Sequence, residues 1–206
     1  MKRIKTNLFD ITTVKREPFG GALLVAGPFL EESYFNHGVV SLVSYSQEDG
    51  AMGMVLNNLT GYRMPDILPG QVDRTPETES IPVFLGGPVS DDRLFYIHNL
   101  GPDIISDCDE YFPGLYAGGS FRDVLNYVNS GYPVDGRIRF FIGYSGWSAG
   151  QLEEELLNEV WAVADMHGDT SELLRGADDP YWHSVVRTMG ESYRNWLYHP
   201  QNVQCN

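Results

Sequence analysis

Cysteine is scarce in this chain: Cys108 and Cys205 are two among 206 residues, too few for a disulfide framework. Basic residues are scarce too. Fourteen Lys and Arg stand against 28 Asp and Glu, a formal net charge of −14. That balance disfavours direct contact with DNA, RNA or anionic lipid. Long apolar runs are missing: the stretch from Ala22 to Ala26 is far too short to span a bilayer. The N-terminal MKRIKTNLFDITTVKREPF starts like a signal peptide but lacks the apolar middle section. A cytoplasmic protein without a membrane segment is therefore expected. Neither G-x-x-x-x-G-K-[ST] nor G-x-G-x-x-G occurs, so no cofactor of the nucleotide type is expected. Asp107, Asp109 and Glu110 surround Cys108, but no glycine follows at the loop position an EF-hand needs, and no His or second Cys lies at ligand spacing. They read as a solvated acidic loop, and no metal site is expected.

What is present supports an ordinary packed core: 42% of residues are hydrophobic and 13% aromatic. Residues 1–18 are polar and mixed in charge and read as an arm; 19–200 read as one domain, and 201–206 as a tail. Strands are expected at Gly20–Ala26, Gly38–Tyr45, Ala51–Asn57, Ile81–Leu85, Arg93–His98 and Gly114–Ala117. Asp49-Gly50 is a turn signal, so the second and third should form an antiparallel hairpin. Arg93–His98 is expected beside Ile81–Leu85. Thr60–Ser80 has three prolines and little periodicity, and reads as a flexible connection with a helical turn near Met64–Leu68. Ser120 with Asp123 marks a helix start, Val124, Leu125 and Val128 its buried face, and Gly131 with Pro133 its end. Past Asp165 the chain turns helical. Ser171–Arg175 is closed by Gly176, and Asp179-Pro180 opens a helix carrying Trp182, Val185, Val186 and Met189. Tyr193, Trp196 and Leu197 continue its aromatic face. Hairpins outnumber βαβ units, which makes the fold class α+β.

The stretch from Arg137 to Asp165 organises the rest. It reads as a strand (Arg137–Gly143), a loop (Tyr144-Ser145-Gly146-Trp147) and a helix. Ser148 and Gln151 have the spacing of a capping box, and Leu152, Leu156, Leu157 and Val160 form the buried stripe. Trp161 and Val163 begin another strand.

Four segments in order resemble the AlgH/YqgE family of bacterial proteins. They are GAMGMVLN (Gly50–Asn57), LGGPV (Leu85–Val89) with Arg93 and His98, the GYSGWSAGQLE core between Arg137 and Leu152, and EVW (Glu159–Trp161). The likeness runs from about Phe19 to Pro200. It implies a cytosolic α+β protein with flanking helices and a mostly antiparallel, branched sheet curled into a pseudo-barrel. It also implies the label of transcriptional regulator, with no established chemistry. Many relatives carry a cysteine, and a histidine two residues later, before the hairpin glycine; Ser44 and Ser46 stand there in this chain, so thiol chemistry is not implied. A basic residue and proline often follow the matching asparagine, where Asn58-Leu59 stand here.

Ser145 lies where a hydrolase nucleophile would, but Gly143-Tyr144-Ser145-Gly146-Trp147 has tryptophan at the last glycine of G-x-S-x-G. His167, His183 and His199 follow with Asp165 and Asp178, an order compatible with a triad. His98 is the other catalytic candidate. A start of helix before Glu153-Glu154-Glu155 suits capping better than anion binding. Gly86-Gly87-Pro88 reads either as a ligand-facing loop or as a tight crossover in a crowded sheet. A ligand pocket would draw on Asn57, Gly86, Gly87, Arg93, Tyr144, Ser145, Trp147 and Gln151. The aromatic residues Trp182, Tyr193 and Trp196 read as core or a partner surface. The favoured reading is a non-enzymatic regulator or adaptor acting through a protein or small-molecule partner, without direct nucleic-acid contact. The alternative is a small-molecule sensor or hydrolase-like enzyme using the Tyr144–Gln151 stretch.

Overall fold

The computed structural model describes residues 11, 13–166, 168–175 and 181–199. The expected closing Gly176, the Asp179-Pro180 helix start, His167, Asp178 and Cys205 lie outside them. Among the described residues, ten strands join in one sheet, mostly antiparallel and not closed. They are β1 (Leu23–Ala26), β2 (Val39–Ser46), β3 (Gly50–Val55), β4 (Leu59–Arg63), β5 (Pro82–Leu85), β6 (Val89–His98), β7 (Asp109–Phe112), β8 (Leu115–Ala117), β9 (Ile138–Trp147) and β10 (Trp161–Ala164). The helices are α1 (Met64–Ile67), α2 (Phe121–Asn129), α3 (Gln151–Leu157), α4 (Thr170–Leu174) and α5 (Tyr181–Thr188), with short 3-10 segments at Thr78–Ser80 and Glu191–Tyr198. The α+β class and the branched antiparallel sheet are as expected.

Strand β9 is the branch. One edge pairs antiparallel with β6 along most of its length, from Ile138 opposite His98 to Tyr144 opposite Val89. The other edge changes partner midway. Phe140–Ile142 pair parallel with Val83–Leu85 of β5, and Ser145–Trp147 pair antiparallel with Ala51–Gly53 of β3. Two expectations fall here. Strand β6 is not beside β5, because β9 lies between them. And Tyr144–Trp147 is not a loop, because its backbone is paired with β3 and, at Tyr144, with β6.

The branch needs glycine. Where β5 ends, Gly86 donates its N–H to the Ile142 carbonyl at 2.8 Å and its own carbonyl accepts from Val55 N–H at 2.9 Å. A Cβ at Gly86 would drive into the Gly143 carbonyl and sit 3.0 Å from Cβ of Phe141. Gly87, at φ +151°, lies against the backbone of Tyr144 and Ser145, and Gly143, at φ +67°, against the Gly87 carbonyl. Three backbones thus meet at Gly86-Gly87 with no room for a side chain.

Other elements follow their local chemistry. The β2–β3 hairpin forms with Ser46 opposite Gly50, which adopts φ +93°. Ser120 caps α2 by accepting from Asp123 N–H, and Val124 and Val128 are buried. Thr60–Ser80 is more ordered than its prolines imply: it contributes β4, α1 and a 3-10 turn, tied by Thr60 Oγ1 donating to the Val83 carbonyl at 2.7 Å. The capping box of α3 is half formed. Gln151 Oε1 accepts from Ser148 N–H at 3.0 Å, but the cap residue is Gly150, at φ +78°. Helix α3 is one turn shorter than its apolar spacing predicts, which leaves Leu157 66% exposed. Trp182, Tyr193 and Trp196 are core: Trp182 donates to the Ala26 carbonyl and stacks on Trp196 at 6.0 Å.

Gly86→Ala should lower stability by roughly 2–3 kcal/mol, because the added methyl meets backbone that cannot yield. Gly131→Ala, which has open space but φ +73°, should cost roughly 1 kcal/mol. Urea unfolding of the two variants would give this order; equal losses would refute the crowding argument.

Candidate functional site

The two catalytic candidates are built into the fold. Ser145 lies on β9 beside the branch, is 0% exposed, and donates its hydroxyl to the Gly86 carbonyl at 2.9 Å. That carbonyl already accepts from Val55, so Ser145 completes a backbone junction. His98, at the end of β6, is also 0% exposed. Its Nδ1 accepts from Leu100 N–H at 3.3 Å, which leaves the proton on Nε2, 3.2 Å from the Gly118 carbonyl. Tyr116 stacks on the ring at 5.6 Å. Burial lowers the pKa of His98, as a neutral ring held between two backbone groups requires. The described triad partners are engaged elsewhere: Asp165 pairs with Arg16 at 2.8 Å, and His183 and His199 lie edge-on to His37 and Phe29.

The expected ligand-binding residues divide among several places. Tyr144 and Trp147 line an open groove of about 590 Å³ with Ser44, Ser46, Met52 and Val89. The groove thus contains both positions where the family resemblance places Cys and His. Tyr45 borders it and donates its hydroxyl to Glu153 at 2.7 Å, which raises the Tyr45 pKa to about 12. Gly86, Gly87 and Ser145 lie beneath, in the branch. Asn57 lines a separate cavity of about 320 Å³ with Tyr34 and Asn58. Its amide bridges two strand ends, Oδ1 accepting from Val39 N–H and Nδ2 donating to the His37 carbonyl, both at 2.8 Å. Arg93 is exposed on β6 and lines neither space. Gln151, also exposed, donates Nε2 to Glu155.

Glu155 is the residue that sequence reading missed. Its Oε2 accepts both indole N–H groups, from Trp147 at 2.8 Å and Trp161 at 2.7 Å, while Oε1 accepts from Gln151 at 2.9 Å. The rings meet edge to face at 5.9 Å. One carboxylate therefore fixes the indole that forms the groove wall. The sequence signal was the eight-residue spacing of Trp147 and Glu155, hidden among three consecutive glutamates.

Among the described residues, no group of three His, Cys, Asp or Glu could hold a metal ion, and no helix is long and apolar enough to cross a membrane. Cys108 has a raised pKa, first from burial and then from its acidic neighbours, the opposite of an activated thiol.

The branched, open α+β sheet is a fold already seen in bacterial proteins. The AlgH-like family model matches residues 23–194, and the chain belongs to that family. A UPF0301 protein of Parabacteroides distasonis is 39% identical over 200 residues, covering 97% of this chain and 98% of the relative. One of Bacteroides thetaiotaomicron is 33% identical over 198 residues, covering 96% of each. The solution structure of the AlgH protein from Pseudomonas aeruginosa superposes with a TM-score of 0.67 at 26% identity, covering 86% of this chain and 94% of that one. A crystal structure from Corynebacterium diphtheriae reaches 0.71 at 21% identity, covering 91% and 94%, a likeness of fold alone.

Glu155→Ala should cost roughly 2 kcal/mol, since buried Trp161 loses a charged acceptor, and should red-shift tryptophan emission. Glu155→Gln, which keeps an acceptor, should lose less; equal losses would show that the shared carboxylate does not matter. His98 gives a pH test. Its folded pKa lies below the unfolded value of about 6.5, so at lower pH the unfolded chain takes the proton first. Its contribution should be intact above pH 7 and decline as pH falls through 6.5. The urea midpoint difference between wild type and His98→Gln, measured at pH 7.5 and 5.5, should shrink at the lower pH.

Proposed function

We propose that this is a cytosolic, non-enzymatic regulator or adaptor that acts indirectly, through a protein or small-molecule partner, and not by contacting DNA. One observation carries the reading: Ser145 and His98, the two candidate catalytic groups, are fully buried and spend their polar atoms on backbone. Neither can reach a substrate without opening the sheet. The charge of −14 supports the second half, because a duplex would repel the average surface. The name AlgH belongs to the Pseudomonas relative; for this chain, the regulator label follows from family likeness. A small-molecule sensor reading is favoured by the groove beside Tyr144 and Trp147, whose volume lies in the usual range for small ligands.

The test is complementation in cells that lack the gene. Ser145→Ala, stable enough to purify, should restore the phenotype in full, and Ser46→Trp, which fills the groove, should not. Loss of function in a folded Ser145→Ala protein would overturn the non-enzymatic reading. The purified chain should bind duplex DNA no more tightly than the nonspecific range of roughly 10⁻⁴–10⁻⁶ M. Submicromolar, sequence-selective binding would overturn the indirect mode.

A further inference from the structure

Arg139 occupies an unusual place for a charge. It lies on β9, is 2% exposed, and its guanidinium carbon sits 4.0 Å above the Phe84 ring. Nη1 donates to the carbonyls of Leu173 at 2.6 Å and Arg175 at 3.0 Å, and Nη2 donates to that of Leu56. These three bonds tie the end of α4 and the chain after β3 to the sheet. They leave the Nε–H without a partner. A free N–H on a guanidinium is a site where a carboxylate can add a charge-assisted bond. Among the described residues no carboxylate lies within ion-pair distance of Arg139. Burial lowers its pKa to about 10, so it stays charged at neutral pH. Among the described residues this desolvated cation therefore has neutral acceptors, an aromatic face and only the more distant charge of Asp135, with no carboxylate in contact.

Arg139 lines a cavity of about 570 Å³, within the range of small-ligand sites. Its inner wall is apolar, with Ile81, Phe84, Val134 and Ile138 all buried. Its rim carries two exposed carboxylates, Glu77 and Asp135. A simple anion would meet that rim first and be repelled. A molecule with a cationic end would be attracted, and its acid end could proceed to the arginine. Nε itself has no solvent contact, so full engagement requires a wall side chain to shift.

We propose that this cavity binds a small amphoteric organic acid: its carboxylate on the Nε–H of Arg139, its apolar body against the inner wall, and its ammonium group at Glu77 and Asp135. The site is separate from the groove beside Trp147, and the proposal stands whether or not the regulator reading does.

The full-length chain, labelled with ¹⁵N, should be titrated with 6-aminohexanoate, hexanoate and hexylamine. The amphoteric probe should bind at least about tenfold more tightly than either single-charge probe, a difference one charge-assisted contact supplies. It should also shift the Arg139 Nε–H resonance downfield. Glu77→Gln with Asp135→Asn, both exposed, should bring 6-aminohexanoate and hexanoate to similar affinities. Ser80→Trp leaves Arg139 in place and blocks the mouth; it should abolish binding. No binding by any probe would overturn the proposal. So would binding that leaves the Nε–H resonance unmoved, or binding that survives Ser80→Trp.

Discussion

The backbone crossing at Gly86 and Gly143 is the constraint on which the remaining structure depends. At that point β9 exchanges β5 for β3 along one edge while β6 holds the other. Ordinary strands keep neighbouring backbones about 4.8 Å apart, and side chains alternate clear of them. Here a third chain enters, and the crossing closes because Gly86, Gly87 and Gly143 offer no Cβ. The exchange joins the β1–β2–β3 side of the sheet to the β5–β6 side through one strand; each side has its own apolar cluster, and a third, with Val39, Met54, Phe84 and Phe141, spans both.

Much of the polar chemistry serves that geometry. Ser145 completes the hydrogen bonding of the Gly86 carbonyl, Asn57 bridges Val39 and His37, and His98 joins Leu100 to Gly118. In a curled sheet with strands that change partners, backbone groups fall out of register, and buried donors and acceptors must still be paired. Side chains supply what the ladder cannot. Residues that look like a catalytic set along the chain are therefore spread through the structure as joints. Glu155 does the same for aromatic donors, holding two indoles with one carboxylate. Arg139 departs from the pattern, because a joint built from a cation leaves charge over after its hydrogen bonds are counted.

The alternation of apolar residues, the Asp-Gly turn and the Ser120 cap were readable because each depends on neighbours within a few positions. So were the acidic balance, the aromatic core of the C-terminal segment and the family pattern. The neighbours of β9 were not readable. Pairing of Phe140 with Val83 and of Trp147 with Ala51 joins segments far apart in sequence, and local propensity is the same whichever partner wins. For that reason Tyr144–Trp147 reads as a loop in isolation and is a strand in the sheet. By itself the sequence determined composition, charge and the local elements such as the Asp49-Gly50 hairpin and the Ser120 cap. Tertiary structure alone decided which polar side chains face backbone and which face open space, because burial is a property of the assembled sheet.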